Sequence, residues 1–107
     1  MRRGDIVTIA LQGDHGKPRP AVIVQTDLPL GTDHVALLPL TSFATDAPLI
    51  RVRIEAGPET GLSVPSFAML DRLTRARRAK IGGVIGRADG TAMLAINRAL
   101  AVFLGIA

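Results

Sequence analysis

Three short stretches carry the side chains with chemistry to offer. In Gly16–Asp27, GKPRPAVIVQTD, Arg19 is held between Pro18 and Pro20. Proline fixes its own φ and pushes the residue before it toward extended backbone. The Arg19 guanidinium therefore stands on stiff chain, where a loop enters the apolar strand Ala21–Val24. A charged fork so placed suits an anion such as phosphate, although a surface arginine in an ordinary turn gives the same residues. The second stretch, Pro39-Leu40-Thr41-Ser42, ends in two hydroxyls that hydrogen-bond either a ligand or the backbone of a turn. In the third, Asp71 opens directly into a basic run: Arg72, Arg75, Arg77, Arg78, Lys80 and Arg87 lie within sixteen residues that hold no acidic side chain. Opposite charge keeps such a carboxylate ionised, as a working group or as one half of a structural ion pair. The run itself is a footprint for phosphate, nucleic acid or an acidic protein segment, or else a solvated face.

The composition narrows the chemistry. The basic side chains are eleven arginines and two lysines, and the net charge is +4. There is no cysteine, which excludes disulfides and thiolate metal sites. His15 and His34 are far apart and lack metal-ligand spacing. The three aromatic residues are all phenylalanines, too few for a platform on which bases stack. At 107 residues, 48% of them hydrophobic, the chain reads as one globular domain, 1–107, able to fold alone but helped by dimerisation. The N-terminus MRRGDIVTIAL lacks the apolar core and cleavage site of a signal peptide. No segment approaches the roughly 18 consecutive apolar residues of a membrane span. The expectation is a soluble, cytoplasmic protein.

The elements that must position these groups are short. Gly4-Asp5 turns into a strand, Ile6–Leu11, followed by a polar loop, Gln12–Pro18. A second strand covers Ala21–Gln25, and Asp27–Asp33 is loop. His34–Leu40 forms a third strand whose run Val35-Ala36-Leu37-Leu38 predicts burial on both faces. After a loop, Phe43–Leu49, the segment Ile50–Glu55 alternates apolar and charged residues, a half-exposed strand with Arg51 and Arg53 on one face. Ala56–Pro65 is loop, Ser66–Asp71 a strand, and Ile81–Ile85 a last strand whose glycines signal a bulge or close approach. From Asp89, an N-cap, the period becomes helical, with Met93, Ile96, Leu100 and Phe103/Leu104 as a core stripe. Short strands and one terminal helix predict a small, mostly antiparallel β-barrel.

These stretches together resemble the MazF/PemK (Kid) family of toxin–antitoxin endoribonucleases, over nearly the whole chain. Arg3-Gly4-Asp5-Ile6-Val7 is similar to the family's RGD/E-(I/V) opening, and Gly16-Lys17-Pro18-Arg19-Pro20-Ala21-Val22-Ile23-Val24 to its G-x-x-RP core. Pro39-Leu40-Thr41-Ser42 is similar to the P-(I/L/V)-TS element, and Met69-Leu70-Asp71-Arg72-Leu73 to the V-M-x-D segment. Arg78-Ala79-Lys80-Ile81-Gly82 and Ile85-Gly86-Arg87 are similar to the closing R-x-x-IG and IGR portion. Five motifs in order are far more specific than any one.

The resemblance implies a mainly β, α+β fold: an SH3-like barrel of the CcdB/MazF type with a C-terminal helix, usually as a homodimer. It implies metal-independent cleavage of single-stranded RNA at a short sequence, with no cofactor. The 2′-OH attacks the adjacent phosphodiester and leaves a 2′,3′-cyclic phosphate and a 5′-OH. Arg19 would stabilise charge on phosphate, Thr41 would hydrogen-bond the phosphate or 2′-OH, and Asp71 would act as general base. Ser42, Lys17, His15, Arg72, Arg77 and Arg78 would contact substrate. The sequence departs from the family in two places. Met69 stands where some members carry an arginine, with Arg77 or Arg78 as possible substitutes. His15 lies four residues before Arg19, unlike the first-loop histidine of some members; it is an acid–base candidate or an exposed loop residue. The implied partner besides RNA is a cognate antitoxin whose acidic, disordered segment folds into the arginine-rich groove. A rival reading from another class is a CcdB-like toxin that binds gyrase without catalysis.

Overall fold

The computed structural model describes residues 1–10 and 17–107. Among these described residues, seven strands and one α-helix follow one another: β1 Asp5–Ile9, β2 Arg19–Ile23, β3 His34–Thr41, β4 Arg51–Ile54, β5 Ser66–Met69, β6 Thr74–Arg77, β7 Ile81–Arg87 and α1 Gly90–Phe103. All pairings are antiparallel, in the order β4-β5-β3-β2-β1-β7, with β6 on β3. The long strand β3 joins the two halves. Its N-terminal part, His34–Leu37, pairs with β6, and its C-terminal end, Leu40–Thr41, pairs with β5. On its other side Leu37–Pro39 pairs with β2.

Period-two alternation sends the strand residues to two cores. Ile6, Val22, Leu38, Leu40 and Ile54 face the helix and surround Ile96, which is fully buried. Val7, Ala21, Ile23, Val35 and Leu37 form a second cluster on the opposite face. Burial of β3 on both faces follows from its continuous apolar run. Asp89 caps α1 as expected, its Oδ1 accepting from Ala92 N at 2.8 Å. The end of the expected stripe differs: Phe103 is the last residue of α1 and Leu104 its C-cap, and both are exposed.

Several elements differ from expectation, three of them for clear physical reasons. β2 begins at Arg19 rather than Ala21, and Pro20 lies opposite Thr8. The ladder between β2 and β3 starts only at Ala21 and Pro39, so Pro20 stands at a strand start, where its missing N–H costs no ladder bond. β5 ends at Met69, and Leu70–Arg72 winds into a 3₁₀ turn, so Asp71 leaves from a turn rather than a strand. The basic run is not one surface stretch: Thr74–Arg77 is β6, whose small residues Thr74 and Ala76 are half-buried while Arg75 and Arg77 point to solvent.

The first and last motifs meet. Asp5 pairs with Arg87 across the β1–β7 ladder, and Arg87 Nη1 donates to the buried Asp5 carboxylate at 2.5 Å. Arg87 Nη2 donates to the Arg3 carbonyl at 3.1 Å, and Arg2 N donates to Asp5 Oδ2 at 2.7 Å. Gly4 makes the approach possible: its φ is +92°, and a Cβ there would sit 3.1 Å from Arg87 Nη2. Burial pushes the Asp5 carboxyl up, but the hydrogen bonds from Arg2 and Arg87 and the Arg87 charge outweigh it and hold the group below its ordinary value. Among the described residues no helix is long and apolar enough to cross a membrane.

Candidate active site

Proline shapes the site. Pro20 and Pro39 both lack the N–H a ladder needs, and the β2–β3 pairing stops beside them. Past that point Arg19 and Thr41 continue the same register, with their side chains on one face. A groove of about 550 Å³ opens there, lined by Arg19, Thr41, Ser42, Arg51, Met69 and Arg72 among others. Thr41 Oγ1 accepts from Phe43 N at 3.1 Å, which fixes the hydroxyl oxygen and leaves its hydrogen for a ligand. Ser42 is exposed beside it.

The far wall of the groove comes from β4 and β5. Arg51 faces Met69 directly across that ladder, and its Nη1 binds Asp71 Oδ1 at 2.5 Å and the Ile50 carbonyl at 3.0 Å. The Arg51 side chain is only 15% exposed, against 39% for Asp71. Asp71 thus reaches the groove through Arg51 and is not itself part of its lining. On the same face Arg53 lies over the Phe67 ring, 6.0 Å from its centroid, and pairs with Glu55 at 2.8 Å.

The structure brings Arg19, Thr41, Ser42 and Arg72 together, with Asp71 one side chain removed. It does not bring Arg77 or Arg78 to them. Arg77 is opposite His34, at the other end of β3 and roughly 23 Å from Thr41 by strand rise. Arg78 donates to the Thr32 carbonyl and borders a separate groove beside Met1, Arg2 and Leu28. Neither is placed to replace an arginine at Met69. Lys17 is exposed just before β2, and His15 lies outside the described residues. Arg51 is the charged groove residue that sequence reasoning missed. Its alternation put it on a charged strand face, but only the β4–β5 register puts it against Met69. Among the described residues no group of His, Asp or Glu is placed to hold a metal ion.

An antiparallel sheet, covered by a helix on one face and cut by an arginine-lined groove on the other, defines a small β-protein with one terminal helix. Comparison with known proteins makes the class specific: the chain belongs to the PemK-like, MazF-like toxin family of type II toxin–antitoxin systems, whose model matches residues 2–104. It is 49% identical to a probable endoribonuclease MazF of Mycolicibacterium smegmatis, over 100% of this chain and 99% of that protein. Among solved structures, the Mycobacterium tuberculosis toxin MazF-mt6 superposes with a TM-score of 0.82 at 20% identity, covering 96% of this chain and 98% of that one. A mycobacterial endoribonuclease in complex with its cognate antitoxin gives 0.80 at 23% identity, over 100% and 97%. The MazE–MazF structure of Deinococcus radiodurans gives 0.80 at 22%, over 100% and 97%. At these identities the structural likeness establishes the fold, the mainly β, α+β architecture expected from the motifs.

Proposed function

We propose that this single-domain toxin is a sequence-specific endoribonuclease that cuts single-stranded RNA in the cytoplasm, needs no cofactor and is held in check by a cognate antitoxin. The observation that carries the reading is the convergence of Arg19, Thr41 and Ser42 where the β2–β3 ladder ends. A phosphodiester laid against Arg19 accepts its forked N–H donors. The 2′-OH on the 5′ side attacks phosphorus, the bond to the 5′-oxygen breaks, and the products carry a 2′,3′-cyclic phosphate and a 5′-OH. The charge that builds on the phosphorane-like transition state is met by Arg19 and by the Thr41 hydroxyl, both preorganised by the fold. Ser42 and Arg72 contact the strand on either side.

The antitoxin is an acidic segment that folds into the same groove and so competes with RNA. The homodimer covers exposed apolar side chains such as Val84 and Ile85 on the edge strand β7 and Phe103, Leu104 and Ile106 after the helix. A gyrase-binding toxin is the weaker reading, since pure binding gives no reason for a threonine hydroxyl preset beside an arginine.

The test is Arg19→Ala on purified protein and in growing cells. It should lower RNA cleavage by about 100-fold or more, abolish growth arrest, and leave the melting temperature close to wild type. Undiminished cleavage and toxicity in the variant would sink the reading.

A further inference from the structure

We propose that Arg51 is a catalytic residue of the groove, supplying a second guanidinium to the scissile phosphate, and that Asp71 is a positioning residue acting through it. The inference rests on the ribonuclease reading and deepens it.

Three observations carry it. Arg51 sits in the β4–β5 ladder directly opposite Met69. Directly opposed side chains in an antiparallel pair stand about 5 Å apart on the same face. A guanidinium from Arg51 therefore reaches the space that a side chain at 69 borders, and Met69 leaves that space without a charge of its own. Arg77 and Arg78, the substitutes suggested by sequence for an arginine at 69, lie at the far end of β3.

Second, Arg51 is oriented before any ligand arrives. Its stem is largely buried, and Nη1 is engaged by both Asp71 and the Ile50 carbonyl. A guanidinium so anchored on one nitrogen loses little freedom when it binds, which is the condition for electrostatic preorganisation. Committed to Arg51 and set outside the groove lining, Asp71 is badly placed to take a proton from a 2′-OH.

Third, the hydrogen bonding of Arg51 is incomplete. Its Nε is buried and has no partner, and it is the one such side-chain atom among the described residues. A buried donor left unpaired costs about 1–3 kcal/mol, so such a group calls for an explanation. Asp71 and Ile50 both take Nη1, which leaves the Nε/Nη2 edge, the side-on fork that matches two oxygens of a phosphate. A small pivot of the guanidinium about its anchored Nη1, within the same rotamer, turns this edge to the phosphate and completes the missing bond. Arg19 and Arg51 then hold the phosphate from opposite walls, on strands three places apart in the sheet, roughly 14 Å between backbones.

The experiment uses an RNA oligonucleotide carrying the mapped cut site, with single-turnover rates at saturating enzyme. Affinity is read separately on the same oligonucleotide 2′-O-methylated at the attacking position. Arg51→Ala should lower the rate about 100-fold while weakening binding less than about tenfold. Asp71→Asn should lower the rate without moving the acid limb of the pH–rate profile. In Arg51→Ala/Asp71→Asn the rate should match Arg51→Ala alone, the non-additivity of residues acting as a unit. Arg51→Lys keeps the charge and the Asp71 pair but not the fork, and should lose about tenfold; it carries the test if melting shows that Arg51→Ala does not fold. Wild-type rates in Arg51→Ala or Arg51→Lys overturn the proposal. So does an Asp71→Asn loss that multiplies with Arg51→Ala and removes the acid limb, which would make Asp71 an independent base. A wild-type protein that cuts no RNA fails at the earlier step and overturns the ribonuclease reading itself.

Discussion

Arg87→Met tests how the two ends of the chain are locked together. The substitution keeps most of the apolar stem but removes the cation paired with Asp5 at 2.5 Å and the hydrogen bond to the Arg3 carbonyl. Deleting one partner of a fully buried ion pair costs about 3–5 kcal/mol. Asp5 is 9% exposed here but Arg87 is 44% exposed, so solvent relieves part of that loss and about 2 kcal/mol remains. For a domain of this size that is a fall of about 10 °C in melting temperature. The pH dependence carries the sign. In the wild type the Asp5 carboxyl is held below its ordinary value of 3.8. Its contribution is therefore fully present above that value and disappears as pH falls through the folded-state value. In the variant the cation is gone and burial, the largest influence on this group, acts with less opposition, so protonation relieves the site. Melting curves followed by circular dichroism at pH 7 and pH 3 should show a gap that narrows sharply in acid. A gap of equal size at both pH values would refute the ion-pair account and leave only lost packing.

Other outcomes follow from the same structure. Ile96→Ala should destabilise the fold by about 3 kcal/mol in chemical denaturation, because Ile96 is fully buried where α1 meets the sheet. Thr41→Val, which keeps the shape but not the hydroxyl that accepts from Phe43 N, should lower single-turnover cleavage by about 10–100-fold with little effect on melting. Arg77→Ala and Arg78→Ala should leave that rate within about threefold of wild type and show themselves only as weaker RNA binding at low salt.

Much of the site was legible in the sequence because it depends on local chemistry. Pro18-Arg19-Pro20 announces a stiff strand entrance, and the Thr41-Ser42 hydroxyls stand at a strand end whichever strand lies beside it. Asp89 caps α1 for reasons confined to three residues. Contacts that depend on register were not legible. The groove forms because Pro20 and Pro39 end one ladder side by side, and nothing in either motif states that they meet. Arg51 reads as one charge in an alternating strand until β4 is set against β5. Arg77 and Arg78 read as neighbours of Asp71, yet β6 carries them along β3 and away from the groove. Arg3-Gly4-Asp5 and Gly86-Arg87 count as separate motifs in sequence, and the fold shows them to be two halves of one ionic lock.

The most direct measurement is the chemistry of the cut ends. Purified protein incubated with a long unstructured RNA in EDTA should give discrete fragments whose upstream pieces end in 2′,3′-cyclic phosphate and whose downstream pieces begin with 5′-OH. Those fragments should be absent with Arg19→Ala. Intact RNA at high enzyme concentration, or ends bearing a 3′-OH and a 5′-phosphate, would contradict cleavage by 2′-OH attack in the Arg19–Thr41 groove.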